Sequence, residues 1–158
     1  DSYNNCGNIL PMKKLLAIIT LFVFFCLTQI SFADEFSCSS AKINVIDADT
    51  IDVCNRRIRL NGISAAERGH DTYGICKILV KDIINSYESV SCVLNGKKTY
   101  NREVGTCFVI KDNITFNLQE IIVKNDCARD CKSYSGGIYG PFETKKSKKL
   151  PLPGYCMN

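Results

Sequence analysis

A strand-rich α+β fold is what this sequence predicts, and three observations predict it. Apolar and polar residues alternate in three short runs across 43–60, the period of half-buried strands, and two further strand-like runs stand at 90–94 and 104–110. Between those runs the apolar positions switch to helical spacing, and turn-forming residues separate the segments. The chain has 158 residues, 46% hydrophobic and 23% charged, which fits one globular domain and excludes a long multidomain protein.

Ile43, Val45, Ile51, Val53, Ile58 and Leu60 form three runs, broken by Asp47-Ala48-Asp49 and by Cys54-Asn55-Arg56, so a three-strand meander is expected. Asp71 or Thr72 then caps a helix with apolar positions Ile75, Ile78, Leu79, Ile83 and Tyr87. Strands over 90–94 and 104–110 follow, joined by a polar loop containing Asn95-Gly96. A second helix starts at Asn117, with Glu120 completing a capping box, and stops near Asn125-Asp126. From Lys132 onward Ser, Gly, Pro and Lys dominate, a tail expected to be tied down by Cys156 rather than by a core. Five short strands, with two to three helices and one of them between the third and fourth strands, is the order of an OB-like barrel.

Ahead of this lies an export signal. Met12-Lys13-Lys14, an apolar run from Leu15 to Leu27 and the small-residue pattern Ser31-Phe32-Ala33 make 12–33 a signal peptide cut after Ala33. The run is short of the ~18 to 20 residues of a membrane span, so no stable anchor is expected after cleavage. Residues 1–11 read as an upstream extension, and 34–158 as the mature domain, a secreted or periplasmic monomer. Eight of the ten cysteines fall in it, an even number suited to disulfides in an oxidising compartment.

A single histidine, His70, argues against Cys/His zinc sites and against Ser–His or Cys–His catalysis. A formal net charge of +4 tolerates an anionic partner without demanding one. Chemistry must therefore run on carboxylates, arginines or thiols. Asp47 and Asp49 project from one tight turn, where they are either oxygen ligands for a hard cation or an ordinary Asp-rich turn. Arg59 lies between Ile58 and Leu60 and points away from their face, which by itself reads as a solvated arginine. Glu67 follows Gly62-Ile63-Ser64-Ala65-Ala66, small residues that allow close approach by a ligand, and is a surface glutamate or a base. Arg102, beside Glu103, reads alone as a surface charge paired with that neighbour. His70 reads as a solvent-facing loop residue, and Lys145, Lys146, Lys148 and Lys149 as a solvated segment or a phosphate contact. Together, a cation at Asp49, two guanidiniums and a base at Glu67 make a coherent phosphodiester-cleaving site.

The same residues carry a resemblance. Val45-Ile46-Asp47-Ala48-Asp49-Thr50-Ile51, then Arg57-Ile58-Arg59-Leu60-Asn61-Gly62-Ile63 leading to Glu67, then Tyr100-Asn101-Arg102-Glu103-Val104 resemble the successive signatures of the staphylococcal nuclease (thermonuclease) family, over roughly residues 38 to 134. The ending Ala128 to Gly137, with Leu152-Pro153-Gly154-Tyr155-Cys156, is similar to a cysteine-bearing exported bacterial branch of it. The resemblance implies an OB-fold barrel with helices and Ca²⁺-dependent hydrolysis of DNA and RNA. It makes Arg59 and Arg102 the transition-state arginines, Glu67 the general base, Asp49 a Ca²⁺ ligand with Asp47 beside it, and Tyr100 and Tyr134 the nucleotide pocket.

Two departures stand out. Ser64 occupies a position where the family commonly has an acidic ligand, leaving the Ala65 carbonyl to coordinate and weakening Ca²⁺ binding. Ala48 replaces the usual glycine of Asp-Gly-Asp and resists positive φ. A catalytically weakened nucleic-acid-binding or interaction module on the same fold is therefore the alternative to an endonuclease. Pairing Cys38 with Cys54 and Cys92 with Cys107 across strands, and Cys131 with Cys156 on the tail, leaves Cys76 and Cys127 to join helix to helix. The Cys92–Cys107 bridge closes a loop of about 15 residues, worth roughly 3 kcal/mol.

Overall fold

The computed structural model describes residues 34–157, so the extension at 1–11 and the signal peptide at 12–33 lie outside the described residues. The architecture is mixed α+β and strand-rich: nine strands, three α-helices and four disulfides among the described residues. The expected meander is present as β2 (Ile43–Asp47), β3 (Thr50–Val53) and β4 (Arg56–Leu60), all antiparallel. Cys54 and Asn55, at φ 48° and 69°, form the two-residue turn of the β3–β4 hairpin, both central residues left-handed as such a turn demands. Ala48 is not among the residues at positive φ, so the alanine causes no strain there.

Four strands go beyond the five expected. β1 (Glu35–Ser39) pairs with β6 (Ser89–Thr99), and β8 (Ile114–Asn117) pairs with β7 (Arg102–Lys111). β5 (Ile63–Ala65) and β9 (Ala128–Asp130) form a separate two-stranded ladder. All four are short or polar, which is why alternation alone does not mark them. The main sheet runs β1-β6-β7-β4-β3-β2 and is not closed. Its first strand is joined to the β3–β4 turn by the Cys38–Cys54 bridge, and Asp34, just ahead of that strand, pairs with Arg56 at the start of β4.

The second hairpin departs from the expected loop. Asn95 and Gly96 lie inside β6, where the register shifts between Leu94 and Lys98 and Gly96 takes φ 75°, so they form a bulge rather than the turn. The chain reverses at Tyr100-Asn101, with Tyr100 at φ 52°. Cys92 and Cys107 stand directly opposite, 4.1 Å apart at Cα, and are bridged. All four bridges join the cysteines expected to pair.

α1 (Thr72–Asn85) starts where expected, but Asp71 makes no side-chain cap bond and the buried face is rotated. Cys76, Val80 and Ile84 turn inward while Ile75 and Ile78 are exposed, because the Cys76–Cys127 bridge and the packing on β2 select the i, i+4, i+8 stripe. α2 (Leu118–Lys124) has the Asn117 half of the expected capping box, the Asn117 side chain accepting from the Glu120 N–H at 3.0 Å, while the Glu120 carboxylate accepts from Lys124. α3 (Lys132–Ser135) ends at Gly136 in the left-handed region. The tail after it does more than hang from Cys156, since Tyr139 joins the core and Ser147 and Leu150 are buried.

One buried polar residue joins these layers. β7 is paired along one edge by β4 as far as Gly105 and by β8 from Phe108 onward, which leaves a gap in the ladder. Gln119, fully buried, fills it: its Oε1 accepts from the Cys107 N–H at 3.1 Å and its Nε2 donates to the Gly105 and Asn61 carbonyls at 3.3 and 3.4 Å. Gln119→Leu keeps the volume but strands the Cys107 N–H, and is expected to lower the unfolding free energy by about 2 kcal/mol in a urea titration. An unchanged midpoint would show that the gap does not need the amide.

Candidate functional site

Asp49 is the hinge of the site. It ends the β2–β3 turn, is only 6% exposed, and accepts from the Ala65 N–H at 2.9 Å through Oδ2 and from the Thr50 hydroxyl at 3.1 Å through Oδ1. The Arg59 guanidinium lies 3.0 Å from Oδ2. Asp47 Oδ1 accepts from the Asp49 N–H at 3.1 Å, which makes the turn a local Asx motif and brings the two carboxyls together. Burial pushes the Asp49 carboxyl up to about 6; Arg59 pulls it down by less, and the neighbouring Asp47 charge adds to the rise. This is not an ordinary Asp-rich turn, whose side chains would be solvated.

Arg59 is not a solvated arginine either. Its side chain is 16% exposed, and besides Asp49 it donates to the Leu60 and Ile63 carbonyls, both at 2.9 Å. The guanidinium thus closes the β4–β5 turn on itself. Arg102 enters from the start of β7 and donates to the Thr50 hydroxyl at 3.3 Å. Thr50, which no pattern in the sequence singles out, therefore links the two arginines through Asp49. Glu103 does not pair with Arg102: it takes a two-point bond from Arg56 at 2.8 and 2.9 Å, and that bond holds its carboxyl below the usual range. None of the ion pairs among the described residues includes Arg102.

Arg59 and Arg102 line a cleft of about 520 Å³ with Tyr100 and Tyr134. Four of the expected residues are brought together there. Lys97, Lys98 and Tyr155 join them, and among the described residues no carboxylate lines the cleft. The lysines sit on the far side of the β6 bulge, a position the Asn95-Gly96 signal marks only once it is read as a bulge. Tyr155 stands edge-on to Tyr134, ring centroids 6.3 Å apart and planes at 76°. Tyr100 is 93% exposed at a turn position where glycine is usual.

The small residues before Glu67 serve the protein's own packing. A Cβ on Gly62 would come within 2.8 Å of the Ser135 Cβ, and Ser64, Ala65 and Ala66 are buried. Glu67 itself is exposed on the turn after β5, outside the cleft lining; its carbonyl accepts from the His70 N–H at 3.2 Å. It lies two residues beyond Ala65, within about 7 Å along the backbone of the residue that holds Asp49. His70 is exposed and bonds Thr72, as a loop histidine does.

Asp47 and Asp49 offer oxygen ligands, the donor chemistry of a hard cation. Two repelling carboxyls, one of them buried and pushed toward its neutral form, are a pair that such a cation would relieve. Among the described residues no cluster of three or more Asp, Glu, His or Cys side chains converges, so the set fits Ca²⁺ weakly. No helix among the described residues is long and apolar enough to cross a membrane, and four disulfides are consistent with an oxidising compartment. No protein-family model matches the chain, and no curated protein matches it.

Proposed function

We propose that this protein is a secreted or periplasmic Ca²⁺-dependent endonuclease that hydrolyses phosphodiester bonds of DNA or RNA, on an OB-type barrel of the staphylococcal nuclease kind. One observation carries the reading: the cleft combines Arg59, Arg102, Lys97 and Lys98 with three tyrosines and, among the described residues, no carboxylate. That is a lining for a polyanion with flat, stackable groups. Tyr100 strengthens it, because a bulky residue at positive φ costs folding about 1 kcal/mol and its exposed ring returns nothing to the core.

In this reading Arg59 and Arg102 meet the charge that develops on the phosphoryl oxygens, Arg59 rigidly and Arg102 through a single protein bond. Asp49 and Asp47, with Ser64 and the Ala65 carbonyl, would hold the Ca²⁺, which when bound polarises a phosphoryl oxygen. Glu67 takes a proton from the attacking water, the ester P–O bond breaks, and the leaving oxygen takes a proton from solvent. Tyr100 and Tyr134 receive the bases.

The test is cleavage of single-stranded DNA by the oxidised protein, with Ca²⁺ or with chelator, beside a Glu67→Gln control. Cleavage is expected to require the metal and to fall by roughly 10²- to 10⁴-fold in Glu67→Gln. A folded protein that leaves DNA intact in Ca²⁺ overturns the enzyme reading. The buried Ser64 at the position of an acidic ligand favours one alternative, a nucleic-acid-binding module on the same fold. It predicts salt-sensitive binding without cleavage.

A further inference from the structure

We propose that Tyr155, in the C-terminal segment, is a base-stacking residue of the cleft, held there by the Cys131–Cys156 bridge; this rests on the nucleic-acid reading given above. The segment buries little of its own: Gly154, Tyr155 and Met157 are exposed, and between Pro151 and Met157 only Cys156 is buried. Yet it is fixed at three points. Cys156 is bridged to the buried Cys131, the Tyr155 carbonyl accepts from the Ser133 hydroxyl at 2.7 Å, and Gly154–Cys156 closes a tight turn behind Pro153.

What those fixings orient is the Tyr155 ring, 57% exposed on the cleft wall. Its plane stands at 76° to that of Tyr134, so the two rings form a corner open to solvent. A flat base laid on one ring meets the edge or face of the other, a geometry aromatic groups favour. The bridge buries its own two cysteines and leaves the adjoining Tyr155 exposed, an arrangement that makes sense when the tyrosine has a ligand. The ligand class is the planar base of a polynucleotide whose phosphates lie toward Lys97, Lys98 and Arg102.

The experiment measures binding of a short fluorescent oligothymidylate to the oxidised protein in chelator, where cleavage does not interfere, beside an abasic probe of equal length. Tyr155→Ala is expected to weaken oligothymidylate binding roughly 10-fold and to leave abasic binding unchanged, while Tyr155→Phe stays within about twofold of the parent. The Cys131→Ser, Cys156→Ser double variant is expected to lose affinity as Tyr155→Ala does. Unchanged oligothymidylate affinity in Tyr155→Ala, or an equal loss on the abasic probe, overturns the assignment while leaving the cleft reading intact. A parent protein that binds neither probe at low salt overturns both.

Discussion

Arg102→Ala is expected to lower single-stranded DNA cleavage by roughly 10²- to 10³-fold, the usual cost of removing one preorganised donor from a developing oxyanion, while thermal stability stays close to the parent's. The separation follows from how the side chain is held. Arg102 gives the protein a single bond, to the Thr50 hydroxyl, and a distant contact 5.8 Å from the Tyr100 ring centroid. Its removal leaves Thr50 still bonded to Asp49. Arg59→Ala is the contrast: it strips the buried Asp49 of its counter-ion and the β4–β5 turn of two carbonyl partners, so activity and stability fall together. Cleavage assays run beside melting curves read the split. Intact activity in a folded Arg102→Ala protein would remove this arginine from the chemistry.

The second large effect is a pH dependence located at Asp49. Its carboxyl titrates near the ordinary 3.8 in the unfolded chain and at about 6 in the folded one. Below about pH 4 it is protonated in both states and carries no penalty. As pH rises from about 4 to 6 the unfolded chain releases the proton and the folded one retains it, so stability is lost across that window and levels off above it. A carboxyl raised that far is destabilised in its charged form by about 3 kcal/mol. Asp49→Asn carries no such titration, so the difference in unfolding free energy between parent and variant should move by that amount between pH 4 and 7, measured in chelator. Subtracting the variant cancels Asp34, Asp52 and Glu103, whose arginine partners push their carboxyls the other way. Millimolar Ca²⁺ should recover part of the loss at pH 7 in the parent only. A pH-independent difference would mean that Asp49 is ionised throughout, with Arg59 outweighing its burial.

The meander and the Asn117 cap are legible in the sequence because their signals are local: alternation, a left-handed Cys54-Asn55 turn, and one side chain reaching three residues on. The rotated face of α1 is not, because Ile75 and Ile78 are as apolar as the residues that turn inward, and only the partner across the Cys76–Cys127 bridge distinguishes them. Motifs single out Asp49 and Arg59, but their burial is invisible there, since it depends on β5 folding the Ala65 N–H back onto the β2–β3 turn. Gln119 carries no pattern at all. Its role exists only because two strands share one edge of β7 and leave a gap between them. Tyr155 reads as tail in the sequence, and it stands beside Tyr134 because the Cys131–Cys156 bridge and the Ser133 bond to its carbonyl hold it there.

The order of the bridges along the chain has a consequence for how the protein acquires them. Cys38–Cys54, Cys92–Cys107 and Cys131–Cys156 each join cysteines that are neighbours in sequence, so each can close as soon as its second thiol emerges. Cys76–Cys127 encloses the Cys92–Cys107 loop, and its partners are 51 residues apart. A chain oxidised strictly in order of appearance would join Cys76 to Cys92 and leave Cys107 to meet Cys127, two wrong links that must be exchanged before Cys76 on α1 can meet Cys127. In that order of oxidation maturation requires thiol exchange to form Cys76–Cys127, a step that takes seconds to hours without a shuffling catalyst.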